Sequence, residues 1–88
     1  MLGRKAGRGV TTGTENTFVG NSAGRDGTVT GSYNIGIGSV TLNALTSGSY
    51  NIAIGRDSLG ANTTAEYNTA VGYSAGGQVT TGTDNTLI

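Results

Sequence analysis

Apolar and polar positions alternate along this chain in short bursts. Ile35-Gly36-Ile37, Ile52-Ala53-Ile54 and Thr69-Ala70-Val71 each set two β-branched residues on either side of a small one, with an asparagine before and a glycine after. Successive side chains of an extended backbone point to opposite faces, so each burst predicts a β-strand of about five residues. The following glycine, free of a Cβ, lets the backbone turn. Helices are disfavoured, because the apolar positions do not recur at i, i+3, i+4 and β-branched residues abound.

The bursts recur at a fixed interval. Their leading asparagines are Asn16, Asn34, Asn51, Asn68 and Asn85, in steps of 18, 17, 17 and 17. Gly20, Gly38, Gly55 and Gly72 follow four positions later, each preceded by a branched aliphatic residue. Three positions before the asparagine stand Gly13, Gly31, Gly48 and Gly82, with Ala65 the exception. Looser columns fill the rest: Ala6-Gly7, Ala23-Gly24 and Ala75-Gly76 align with Leu42 and Leu59 at the second place, and threonine or serine pairs lie ahead of the glycine.

A repeat of this length, made of a short strand, a glycine turn, a second extended piece and a second turn, predicts an all-β fold. The expected architecture is a parallel β-solenoid, or β-roll, of about five 17-residue coils over residues 1–88 as a single repeat domain. Stacked at strand spacing, five coils make a rod of about 24 Å. The alternation assigns Val19, Ile35, Ile37, Ile52, Ile54 and Val71 to the interior, with Leu2, Ile88, Thr17, Thr69 and Thr86 in the same columns. Leu42 and Leu59, with Leu45 and Val79, come in from the opposite wall. The asparagines form a second ladder, their amides bonding to one another or closing the adjacent turn. Gly36, Ala53 and Ala70 then face outward and let another chain approach, which makes them the candidate interface. The motif is incomplete at both ends, Met1-Leu2-Gly3 and Thr86-Leu87-Ile88, as expected of a fragment or stacking unit of a longer fibre.

Composition bears on this picture in two ways. Of 88 residues only 34% are hydrophobic and five are aromatic, so one chain has little to bury and is marginal alone. Cysteine and histidine are absent, which excludes disulfides, thiolate chemistry and the usual zinc ligand sets. The net charge is zero, and the cations Arg4, Lys5 and Arg8 have no aromatic residues among them, so no nucleic-acid partner is indicated. No apolar run approaches the roughly 20 residues of a membrane span, and membrane insertion is not expected. The zero prolines and strict columns argue against a flexible glycine-rich linker.

The phrases NIGIG at 34–38, NIAIG at 51–55 and NTAVG at 68–72 resemble the S-V-A-I-G signature of the head repeats of trimeric autotransporter adhesins. They are more similar still to the N-T-A-[IV]-G-x-x-A repeats of bacteriophage tail fibres, NTAVGYSAG at 68–76 being the nearest copy. The adhesin resemblance implies a left-handed roll with three chains side by side and with Ile35, Ile37, Ile52, Ile54, Thr69 and Val71 inside each roll. This chain departs from it in its longer repeat and in Thr17, Thr69 and Thr86, where that family prefers valine.

Chemistry is sparse. The carboxylates Glu15, Asp26, Asp57, Glu66 and Asp84 fall in different columns, so neither catalysis nor a cofactor is expected, and no metal site, since Gly76-Gly77 lacks the stepped aspartates of a calcium roll. Arg25-Asp26 and Arg56-Asp57 read as local ion pairs. The threonine pairs are adjacent and therefore point oppositely, which suits a hydroxyl-bonded turn better than the T-x-T face of an ice binder. Tyr33, Tyr50 and Tyr67 form a column that stabilises neighbouring coils by ring contact or stacks on sugars.

The expected function is structural. The chain reads as a rigid shaft segment of a phage tail fibre or similar appendage on a virion or bacterial cell surface, with itself as partner in a homotrimer and flanking fibre domains beyond. The alternatives are an adhesin head that contacts a cell-surface glycan or host receptor, an end-to-end self-assembling fibre and an ice-binding solenoid.

Overall fold

Every asparagine-led phrase forms a strand, and the strands lie side by side in chain order. The computed structural model describes residues 2–77, 79–83 and 85–88, so Met1 of the broken N-terminal motif and Asp84 among the carboxylates lie outside the described residues. Among the described residues the chain is all-β, with β1 (Thr17–Val19), β2 (Ile35–Ile37), β3 (Ile52–Ile54), β4 (Thr69–Val71) and β5 (Thr86–Leu87). They form one five-stranded parallel sheet of order β1-β2-β3-β4-β5, an arrangement consistent with a β-roll. Equivalent columns pair: Ile35 with Ile52, Ala53 with Ala70, Ile54 with Val71.

The strands span three residues or fewer, shorter than the expected five, and both neighbours explain it. On one side the asparagine N–H leaves the main-chain ladder: that of Asn51 donates to the side-chain Oδ1 of Asn34 at 3.0 Å. On the other side Gly38 and Gly55 take φ of 128° and 120°, which ends the strand. A Cβ on Gly38 would stand 2.8 Å from the Gly55 carbonyl, so only glycine permits the repeats to stack this closely.

The step of 18 between Asn16 and Asn34 is absorbed between Gly24 and Gly31. The N–H groups of Asp26 and Gly27 both donate to the Asn43 carbonyl, at 2.8 and 3.0 Å, so two residues oppose one as in a bulge.

The interior differs from the expected one. Phe18, Gly36, Ala53 and Ala70 point into the roll and are buried. Ile37, Ile52 and Ile54 are exposed, Val19, Ile35 and Val71 are half-buried, and Leu2 and Ile88 are largely exposed, so these columns face outward. The physical reason is volume. Leu42, Leu45 and Leu59 are fully buried and fill the space behind the sheet, leaving room only for small residues on its inner face. Inward residues and those six positions later complement one another: Phe18 stands with Gly24, Gly36 with Leu42, Ala53 with Leu59. Ala70 and Gly76 are both small, and Leu59 and Leu87 close in on them, with their methyl carbons 2.7 and 3.0 Å from where a Gly76 Cβ would be.

Leu42 and Leu59 hold φ of 48° and 49° in a column where Gly7, Gly24 and Gly76 occur. A left-handed conformation costs about 1–2 kcal/mol for such a residue. Full burial of a leucine returns about 1.5–3 kcal/mol, so the burial wins.

Two irregularities of the sequence answer each other. In the column of Val29 and Leu45, both buried, stands Asn62, and its Oδ1 accepts the N–H of Ala65 at 3.0 Å. In the repeats with glycine at that position, the Gly31 and Gly48 N–H groups donate instead to the next repeat, at Thr46 and Thr63.

Candidate functional site

The outer face of the sheet is a regular surface of in-register columns. Thr17, Ile35, Ile52, Thr69 and Thr86 form one column and Val19, Ile37, Ile54 and Val71 the next, two residues apart on strands that pair in register. No charged residue occurs in either column. Ile37, Ile52 and Ile54 are 39%, 36% and 37% exposed, an apolar stripe of the kind that marks interaction sites. The expected interface at Gly36, Ala53 and Ala70 is corrected by the same geometry: these residues are inside and cannot meet a second chain.

The asparagines run along one margin of the sheet. Asn51 Nδ2 donates to Asn34 Oδ1 at 3.0 Å and to the Ala65 carbonyl at 2.8 Å, and its Oδ1 accepts both the N–H and the Nδ2 of Asn68 at 3.1 Å. Asn34 is bonded likewise between Asn16 and Asn51, and Asn85 joins through its backbone N–H to Asn68 Oδ1 at 2.9 Å. Asn34, Asn51 and Asn68 are fully buried. An asparagine amide offers two donors and one carbonyl oxygen with two lone pairs, and Asn51 uses all of them.

Beside this ladder stands an aromatic one. Tyr33, Tyr50 and Tyr67 hold φ of 63°, 60° and 58°, where a residue with a Cβ is uncommon. Their rings stack at centroid distances of 5.1 and 5.0 Å with interplanar angles of 10° and 3°. Each is about half exposed, but both faces of the Tyr50 ring are covered by its neighbours. A sugar stacks on a ring face, so the middle of the ladder offers only ring edges and hydroxyls.

The remaining candidates are spent locally. Thr11, Thr46 and Thr63 donate their hydroxyls to the carbonyls of Val29, Thr63 and Thr80, tying one repeat to the next. Arg25 pairs with Asp26 at 2.8 Å. Arg56 turns instead to Tyr73, with Nη1 donating to the hydroxyl at 3.3 Å and the guanidinium 5.8 Å from the ring centroid. Gly20, Gly38, Gly55 and Gly72 all take φ between 120° and 131° at the strand ends. Among the described residues no cavity opens, no cluster of three metal-ligating side chains forms, and no helix is long and apolar enough to cross a membrane.

Sequence reasoning missed the inward column. Phe18 carries the available signal, as a large aromatic among glycine and alanine, balanced by glycine six positions on. No family model, curated protein or solved structure matches the chain.

Proposed function

We propose that the chain is a structural segment of a rigid fibre shaft, on a phage tail fibre or similar surface appendage, in which copies pack side by side. Its unit is a 17-residue coil wound as a β-solenoid. Left-handed winding and grouping in threes are what the resemblance to fibre and adhesin repeats implies. The observation that supports lateral packing is the uncharged isoleucine stripe. A surface whose ridges recur at strand spacing is best complemented by another of the same pitch, which is a second copy of itself. Such packing supplies the burial that one small chain lacks. The buried asparagine ladder supports the mechanical role, because it bonds each repeat to its neighbours through side chains as well as backbone.

The test is the mass in solution of the purified chain and of Ile54→Asp over a concentration series. Three times 8.7 kDa for the parent, with a monomeric variant of unchanged circular dichroism, is the expected pair of results. A parent that stays monomeric at every concentration sinks lateral assembly, and growth without limit points to end-to-end fibres instead.

A further inference from the structure

The tyrosine ladder has properties that shaft building does not use. Left-handed backbone is strained for tyrosine, and at three consecutive positions of this column three half-exposed phenols stack at near-constant spacing. Each ring's edge carries the hydroxyl and the two carbons ortho to it. The chain has no cysteine, tryptophan or histidine and one methionine, at position 1, and thioether oxidation proceeds by oxygen transfer. The tyrosine phenols are therefore its readiest donors of single electrons, and three of the four are stacked.

We propose that Tyr33, Tyr50 and Tyr67 form an oxidative cross-linking site, in which Tyr50 couples covalently to Tyr33 or Tyr67 and staples one repeat to the next. The oxidant class is a peroxide acting through a haem peroxidase. Each of two neighbouring phenols gives up one electron and its hydroxyl proton. The resulting phenoxyl radicals join by one carbon–carbon bond between ortho carbons, and the two ortho hydrogens move to the oxygens, restoring both phenols. The bonded pair has lost two hydrogens, and one hydrogen peroxide takes up those two electrons and two protons to become two waters. The site needs only the folded chain and does not rest on lateral assembly.

The experiment treats dilute parent chain, Tyr50→Phe and Tyr73→Phe with a haem peroxidase and limiting hydrogen peroxide, in buffer and in denaturant. It reads dityrosine fluorescence, intact mass and the linked peptides. Phenylalanine keeps the stacked ring, and circular dichroism checks that each variant folds. The parent is expected to lose two hydrogens at unchanged chain number, with the link mapped between Tyr50 and Tyr33 or Tyr67. Without the Tyr50 hydroxyl the remaining ladder phenols are two repeats apart, and the intrachain product is expected to fall about tenfold as proximity is lost. Tyr73→Phe is expected to match the parent, and denaturant to lower the parent's yield. Equal yields in Tyr50→Phe and parent, a link mapped to Tyr73, equal yields with and without denaturant, or products joined only between chains would each overturn the proposal.

Discussion

Phe18 and Gly36 face each other across β1 and β2, paired in register, and the Phe18 Cδ1 lies 3.1 Å from where a Gly36 Cβ would be. The same ring presses on Gly24, where a Cβ would meet Cε1 and Cζ at 2.7 Å. One large side chain thus occupies space that two glycines vacate.

Gly36→Ala is therefore expected to destabilise the chain by about 1–3 kcal/mol through overpacking. The added methyl would also stand 2.8 Å from Thr41 Oγ1, which is held by its bond to the Gly38 carbonyl. Thermal melts read the effect, and adding Phe18→Leu should recover part of it. A Gly36→Ala chain that melts with the parent would mean that the ring moves aside freely.

Asn51→Ala removes a side chain that bonds Asn34, Ala65 and Asn68 inside the fold. Each buried partner left unsatisfied costs about 1–3 kcal/mol, so the sum approaches the whole stability of a small domain. Asn85→Ala is expected to be mild, because that residue enters the ladder through its backbone. Equal melting of the two variants would show that the ladder contributes little.

These two sites show what was legible beforehand. The repeat, its asparagine column and its turn glycines stand in the sequence as fixed spacings, and parallel stacking brings equal positions together. Which face of Ile52-Ala53-Ile54 turns inward was not legible by hydrophobicity, since both of its faces are apolar and the isoleucines are the larger. The choice is made by Leu42 and Leu59 on the far wall, which leave room for Gly36 and Ala53 but not for isoleucine. Volume across a narrow roll is a property of residues six apart, and alternation within a strand does not report it.

The inverted faces lead to a paired test. Ala53→Asp places a charge in the dry interior and should unfold the chain, whereas Ile54→Asp, one residue on, places it on the outer stripe and should leave the single-chain fold intact. Circular dichroism distinguishes them. Loss of structure in Ile54→Asp with tolerance of Ala53→Asp would restore the opposite orientation of the strand.

Tyr50→Ala should destabilise by about 1–3 kcal/mol, since it gives up two ring contacts worth about 0.5–1.5 kcal/mol each and keeps the left-handed backbone. Tyr50→Gly relieves the backbone cost of about 1–2 kcal/mol and should come closer to the parent. A glycine variant that melts below the alanine one would mean that the left-handed corner is not strained.

In the asparagine ladder the side-chain oxygens of Asn16, Asn34 and Asn51 each look toward the C-terminal neighbour and receive two bonds from that side, and that of Asn68 receives the Asn85 N–H. The row therefore has an arrow. A repeat inserted in reverse would set oxygen against oxygen at one junction and N–H against N–H at the other, so such ladders extend only head to tail. An array of these units has two chemically different ends, and growth or attachment at one is not interchangeable with the other.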